Sequence, residues 1–414
     1  MPAVQECCGA VGPREGEPER ESERQTGAEI RSAGGHEEER FEGAVLVRKS
    51  EKSCVSLCQI VAHRAELPAN AHGNGLPASP VLSAPRIGLV GAGRSKNGLG
   101  PFLAAACEAA GARVVGVSGR NPARAVEAAE QLAGRLQHAV AAYSSARLLA
   151  QHVDALVIAS PAEAHAEGLV AALATGVPCL CEKPLVPVDR TADGLALCEA
   201  FRRRGILLAE NCQWPQVLPA LWQLHPGLQE RPVQTVAMGL GPSQAGRAMI
   251  EDSISHVLSV VQALVPFGMD TAVAGVRQTD AGERAEQNVV TFRMVEGARE
   301  VAVELHLRRC PAQPRPAWLA VNGARIDRRI GPNYEQSFVA ANESVPVSDP
   351  LHQLVYAFVA HLTPRNRERS PATVASPALH ELIAVRLRCQ EAIFRGLERG
   401  SREFGAGEFG SGGG

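Results

Sequence analysis

The sequence predicts an α/β chain with two parts: a parallel sheet covered on both faces, then an α+β domain with an open, mostly antiparallel sheet. Three observations predict this. Between Arg86 and Glu210, apolar stretches of about five residues alternate with helical stretches, the pattern of strands buried on both faces. After about Gln213 the period changes to two, as in a sheet with one wet face. Only 4% of the residues are aromatic, while Ala, Val, Leu and Gly abound, which suits a parallel core better than an aromatic-rich sandwich.

The elements follow in order. "RIGLV" from Arg86 is the first strand, and a glycine-rich loop leads to the helix "PFLAAACEAAG". The strand "RVVGV" comes next, then the helix "PARAVEAAEQLAG", opened by Asn121 as N-cap and Pro122 in the first turn. "DALVIAS", "VPCLC" and "ILLAE" are further strands, separated by the helices "EAHAEGLVAALATG" and "TADGLALCEAFRRRG". Beyond them, "NVVTFRMV" and "REVAVELHLRR" alternate, with Val301, Val303, Leu305 and Leu307 on one side and Glu304, His306 and Arg308 on the other. The helices "DPLHQLVYAFVAHL" and "ALHELIAVRLRCQEAIFRGL" are expected to cover the dry face of that sheet.

Both ends differ from this middle. "GPREGEPERESERQTGAEIRSAGGHEEERFEG" is charged and poor in aliphatic residues, so it cannot bury enough surface to offset its ordering entropy. The expected organisation is a leader over 1–84, a nucleotide-type domain over 85–212, an α+β domain over 213–400 and a linker-like tail over 401–414. A formal charge of −2 in 414 residues gives no reason to expect nucleic acid or an anionic membrane as partner. The eleven cysteines are scattered without a Cys-x-x-Cys pair, and Cys54 and Cys58 have no histidine pair at ligand spacing. Free thiols in a reducing cytoplasm, and no metal, are the expectation. No signal pattern and no apolar run of transmembrane length is present.

The loop "GAGRSKNGLG" supplies Gly91, Gly93, Gly98 and Gly100. Glycine at such a strand–helix turn lets the backbone approach a pyrophosphate at the helix N-terminus, as in the Rossmann fold. The strict G-x-G-x-x-G spacing fails, because Lys96 takes the third glycine's place and glycine resumes at 98. The second strand ends "GVSGRNP", without the acid that usually binds an adenosine ribose. Arg120 is placed to pair with a 2′-phosphate, with Ser118 and Asn121 beside it, so NADP is expected over NAD; a solvated loop arginine is the plain alternative.

Two charged features complete the reading. In "GVPCLCEKPLV", Glu182 and Lys183 follow a buried strand at the sheet edge where ligands gather, and Pro184 holds Lys183 extended. Burial beside a nicotinamide is expected to lower the Lys183 pKa. In "MIEDSISHVLSVVQALV", Ile250, Ile254, Val257, Leu258 and Val261 form an apolar side, while Asp252 and His256 share another face. A carboxylate there is expected to orient the imidazole and raise its basicity, as acid–base work near neutral pH requires. Taken singly, each is as well read as a solvated turn or helix face.

Together, "RIGLVGAG", "DALVIASPAEAHAEGLVAAL", "GVPCLCEKPL" and "EDSISH" resemble the glucose–fructose oxidoreductase/inositol dehydrogenase/MocA-like (Gfo/Idh/MocA-like) oxidoreductases, over about Arg86 to Leu362. The resemblance implies a Rossmann domain, a second domain whose open sheet often mediates homo-oligomerisation, and a catalytic set at Lys183, Asp252 and His256. It implies cofactor contacts from Ser160, Pro161, His165, Glu182 and Lys183, with helix packing an equal reading for His165. Where members carry a basic-aromatic stretch, this chain has "ENCQWPQVLPAL", so Gln213 and Trp214 are expected to line the substrate pocket.

The expected activity is hydride transfer between nicotinamide and a secondary alcohol or ketone of a sugar, polyol or cyclitol. The alternative is a dinucleotide-sensing regulator without turnover, though a sensor has no need of a proton relay. A sugar-phosphate substrate would need a basic cluster in the second domain, for which "LHLRRC" and "RIDRRIG" offer arginines that exposed strand faces also explain.

Overall fold

A computed structural model describes residues 83–93, 98–363 and 377–406. The expectations for the leader through residue 82, for Lys96, for Cys54 and Cys58, and for the tail from 407 lie outside the described residues. Strands β1 (Arg86–Val90), β2 (Arg113–Ser118), β3 (Ala141–Tyr143), β4 (Ala155–Ile158), β5 (Cys179–Cys181) and β6 (Leu208–Glu210) form one sheet in the order β3-β2-β1-β4-β5-β6. All of its pairings are parallel. Helices α1 (Gly100–Ala109), α2 (Pro122–Leu136), α3 (Ala146–Ala150), α4 (His165–Thr175) and α5 (Thr191–Arg203) connect the strands. Asn121 caps α2 as expected, its side chain accepting from the Arg124 amide at 3.2 Å.

The chain leaves β1 to one side for β2 and β3, then returns to the other side for β4, β5 and β6. A crevice opens where that order reverses, at the carboxyl ends of β1 and β4. Gly91 lies at this point with φ +86; a side chain there would stand 2.4 Å from the Ser160 amide nitrogen. Gly100, at the start of α1, is equally confined, since a Cβ would meet the Ala92 backbone at 2.9 Å. Despite the irregular spacing, Gly100 thus does what the third glycine of the fingerprint does: it lets helix and strand pack closely.

After α6 (Leu218–Leu224), a second sheet holds β7 (Thr235–Leu240), β8 (Ala272–Gln278), β9 (Gln287–Glu296), β10 (Arg299–Arg308), β11 (Ala317–Val321), β12 (Ala324–Ile330), β13 (Gln336–Ala340) and β14 (Glu343–Val347). Their order is β14-β13-β12-β11-β7-β10-β9-β8, antiparallel except between β7 and β10. Val301, Val303, Leu305 and Leu307 all point into the core, as their alternation predicts. Helix α7 (Gly246–Leu264) packs on that face through Ile250, Ile254, Val257, Leu258 and Val261.

The late helices divide their work differently from the expectation. The apolar side of α8 (Pro350–Leu362), with Leu351, Val355, Phe358 and Val359, joins the core of the first sheet around Leu89, Leu103 and Val157, not that of the second. Helix α9 (Pro377–Ala406) spans both cores: Ile383 and Leu387 pack with β4, β5 and α5, and Val385, Ile393 and Phe394 with α7 and the second sheet. Amphipathicity specifies that a helix must bury one face, but not against which sheet. Among the described residues, no helix is long and apolar enough to cross a membrane.

Candidate active site

The carboxyl ends of β4, β5 and β6 present a cluster of polar groups at the edge of a dry sheet. After β5 the chain turns at Glu182, Lys183 and Pro184, and three anchors hold this turn. Both ring nitrogens of His165 lie against carbonyl oxygens, Nδ1 at 2.9 Å from Pro184 and Nε2 at 2.7 Å from Ser160. The Leu185 amide donates to Glu210 Oε1 at 3.0 Å, and the Val188 amide to Glu251 Oε1 on α7 at 3.2 Å. Glu210 in turn is paired with Arg386 of α9 at 2.5 Å, both side chains almost wholly buried. Such a pair stabilises little relative to apolar packing, but losing one member strands a buried charge.

From this held turn Lys183 reaches α7. Its ammonium donates to Asp252 Oδ1 and to the Asp252 carbonyl oxygen, each at 2.6 Å. Burial pulls the Lys183 pKa down, but the charge and hydrogen bond of Asp252 outweigh it and the net shift is upward. The expected lowering is therefore corrected: the amine has a carboxylate partner and stays an ammonium. Burial likewise works to raise Asp252, yet Lys183 brings its carboxyl below the ordinary value, with smaller help from His256 and Arg315.

His256 lies one turn along α7, half-buried, with Nδ1 buried and free of protein hydrogen bonds. Its pKa falls to about 3, first through burial and then through the Lys183 charge, with Asp252 opposing. This too corrects the expectation. Burial and the Lys183 charge outweigh the pull of Asp252, so the imidazole stays neutral rather than gaining basicity. Glu182 moves the other way. Its carboxylate accepts from the Asn211 side chain, and burial raises its pKa to about 7 against that bond and the Lys183 charge.

The remaining sequence candidates separate into two groups. At the crevice lie Gly91 and the hydroxyls of Ser118 and Ser160, both buried without a protein partner. Gly93 and Gly98 continue the loop, Arg120 stands exposed just past β2, and Pro161 is exposed beside Ser160. Two unpartnered hydroxyls and a backbone cleared of side chains at a strand–helix turn are what a dinucleotide needs from this fold. The other group is turned inward. His165 is 1% exposed with both ring nitrogens engaged, and Asn121 serves as a helix cap.

Trp214 belongs to the inward group as well, which corrects its expected place in the pocket lining. It is 5% exposed, edge-on to Phe338 at 6.2 Å in the core of the second domain, and the Arg328 guanidinium lies 5.7 Å from its ring centre. Gln213 is half-buried at the preceding turn. Glu210, Asn211, Arg315 and Arg386 belong to this assembly without forming any motif. The signal for the first two was present in "ILLAEN", where a buried strand ends on polar residues just as "CLCEK" does. Among the described residues no group of three His, Cys, Asp or Glu could hold a metal.

Comparison with known proteins agrees with this geometry. Residues 85–212 match the model of an oxidoreductase family described by its NAD-binding Rossmann fold. An inositol 2-dehydrogenase of Streptomyces avermitilis is 47% identical over 100 residues, which cover 24% of this chain and 28% of that protein. Another inositol 2-dehydrogenase, of Acidothermus cellulolyticus, is 30% identical over 237 residues, covering 54% and 65% respectively. The chain thus spans between about a quarter and two thirds of the curated relatives it matches. Among solved structures, GenD2 from gentamicin A biosynthesis, in complex with NAD, aligns with TM-score 0.57 at 20% identity, covering 79% of this chain and 98% of that one. A UDP-N-acetylglucosamine 3-dehydrogenase of Acidithiobacillus ferrooxidans aligns with TM-score 0.53 at 21% identity, covering 75% and 98%. Residues 85–212 thus carry the likeness to the Gfo/Idh/MocA oxidoreductases, a family described by its NAD-binding Rossmann fold.

Proposed function

We propose that the protein is a nicotinamide-dependent dehydrogenase that interconverts a secondary alcohol and its ketone on a sugar, polyol or cyclitol. The observation that carries this reading is the meeting of Lys183, from the turn after β5, with Asp252 on α7, one helical turn from an unpartnered His256 nitrogen. Inositol and sugar dehydrogenases among the relatives support it. Bound nicotinamide supplies the hydride acceptor or donor at its C4 carbon.

The chain's own residues handle the proton and the orientation. In the oxidising direction, neutral His256 takes the hydroxyl proton as the carbinol carbon gives up its hydride, leaving a ketone; the depressed pKa keeps the imidazole in the accepting form. Lys183, held as an ammonium, stabilises negative charge developing on the oxygen. Asp252 fixes that ammonium, and its half-exposed carboxylate is free to accept from a neighbouring substrate hydroxyl. His165 is a positioning residue beneath the turn. General acid–base assistance of this kind contributes roughly two to four orders of magnitude in rate.

The phosphorylated dinucleotide is the cofactor we favour, because a buried hydroxyl at Ser118 and an exposed cation at Arg120 replace the ribose-binding acid. The free thiols of the described cysteines suit a cytoplasmic protein, and the outer face of the second sheet, bearing Trp318 and His306, suits contact with another copy. Lys183→Ala and His256→Ala should each lower turnover at least ~100-fold with unchanged circular dichroism, followed as nicotinamide absorbance on a polyol and sugar panel. Full activity in both variants would refute the assignment. Tight dinucleotide binding with no turnover on any alcohol would favour a sensor.

A further inference from the structure

Beside the proposed catalytic groups lies a second set of cations that the reaction so far leaves unused. Arg315 precedes β11, and Arg328 lies on β12 with its Nη2 donating to the Arg315 carbonyl oxygen at 2.9 Å. Arg328 is also stacked over Trp214, whose backbone follows directly from β6 and Asn211. Three guanidinium nitrogens of this pair, Arg315 Nε and Nη2 and Arg328 Nε, are buried from solvent without a hydrogen-bond partner. The pair lies close enough to the active groups for its charge to act there: Arg315 helps hold the Asp252 carboxyl down, and Arg328 helps hold His256 neutral.

Unpaired buried guanidinium nitrogens are costly, and folded proteins rarely keep them without a use. Nearby carboxylates do not remove the need. Asp252 is taken by Lys183, and Asp349, the acid whose charge Arg328 feels most, accepts from the Leu351 amide at the start of α8. Neither acid gives the three unpartnered arginine nitrogens a hydrogen-bond acceptor. Both arginines come from the second domain, before β11 and on β12, whereas the phosphate loop is at β1 in the first. Their ligand is therefore on the substrate side.

We propose that Arg315 and Arg328 form an oxyanion-binding wall and that the substrate carries a carboxylate or phosphate group besides its reacting hydroxyl. The proposal rests on the dehydrogenase reading above and narrows it, because myo-inositol and free sugars carry no such group. A planar guanidinium presents paired N–H donors at the spacing of two oxyanion oxygens, which an ammonium cannot do.

The test compares glucose, gluconate and glucose 6-phosphate as probes with the intact protein and its dinucleotide. Both turnover and binding by calorimetry are measured. One or other anionic probe should exceed glucose by ~10–100-fold in kcat/KM or affinity, and the better one shows whether carboxylate or phosphate is the group. Arg315→Gln and Arg328→Gln should each erase most of that preference through KM. Arg315→Lys, which keeps charge without the fork, should restore only part of it. Turnover of glucose as efficient as of either anion, or a preference untouched by both Gln variants, overturns the wall while leaving the dehydrogenase intact. Anion binding that is lost in the Gln variants, without turnover of any probe, keeps the wall and sinks the dehydrogenase. No anion binding at all overturns the proposal.

Discussion

Glu182 and His256 give the site opposite responses to acid, and this can be measured as stability. His256 has a folded pKa near 3 against an ordinary value of 6.5. Between those values the unfolded chain binds a proton that the folded chain refuses, so His256 makes stability rise with pH. Glu182 has a folded pKa near 7 against an ordinary 4.5. There the folded chain holds the extra proton, so Glu182 makes stability fall as pH rises. The windows overlap from pH 4.5 to 6.5, and in that range the two slopes cancel. Each slope is about 1.4 kcal/mol per pH unit for a fully shifted group, or about 2.7 kcal/mol across the overlap. Both side chains are half-buried, so about 1–2 kcal/mol is the working figure.

His256→Gln and Glu182→Gln should uncover the two slopes separately. Urea unfolding, followed by tryptophan fluorescence and circular dichroism at pH 4.5, 5.5 and 6.5, gives the free energies. Relative to the unsubstituted protein, His256→Gln should lose about 1–2 kcal/mol as pH rises through the window, and Glu182→Gln should gain as much. His165, His361 and His380 are also lowered by burial, but they contribute alike to all three proteins and drop out of the differences. Differences of the same sign, or flat differences for both variants, would refute the electrostatic account of the site.

Three further outcomes are expected. Arg386→Ala strands Glu210 without its partner and should cost roughly 3–5 kcal/mol in urea unfolding, whereas Arg386→Met with Glu210→Gln should recover most of it; equal losses in both would show that packing, not charge, is at stake. Gly91→Ala forces a side chain against Ser160 at φ +86, so dinucleotide affinity by fluorescence titration should fall at least ~10-fold; wild-type affinity would mean the turn is not a nucleotide cradle. Titration with both dinucleotides should show NADP binding tighter than NAD, with Arg120→Ala narrowing the gap; tighter NAD binding would remove the 2′-phosphate inference.

Much of this architecture could be read from the chain because short-range rules govern it. Parallel strands buried on both faces must be continuous apolar runs, so β1, β2, β4 and β5 stand out in the sequence. Glu182 and Lys183 stand out for the complementary reason, as charges on a dry strand's end. What stayed hidden depends on partners far along the chain. The apolar face of α8 was visible, but not that it packs against Leu89 and Leu103. Asp252 and His256 were visibly on one helix face, yet the decisive contact of Asp252 is with Lys183, 69 positions away, and it reverses the expected pKa change of the lysine, while burial first of all lowers that of the imidazole. "RIDRRIG" reads as a solvated strand face, and for Arg325, paired with Asp327, that is correct. Arg328 on the same strand is instead half-buried over the Trp214 ring, which no local pattern announces.

Isotope transfer tests the central claim most directly. The protein is incubated with oxidised nicotinamide dinucleotide and a panel of carbon-deuterated polyols, sugars, sugar acids and sugar phosphates, and the C4 position of the product dinucleotide is read by NMR. The account predicts deuterium on one face of C4 from at least one secondary alcohol, with the signal lost in His256→Ala and Lys183→Ala. Deuterium transfer undiminished in both variants would contradict it, as would a bound dinucleotide that receives none from any member of the panel.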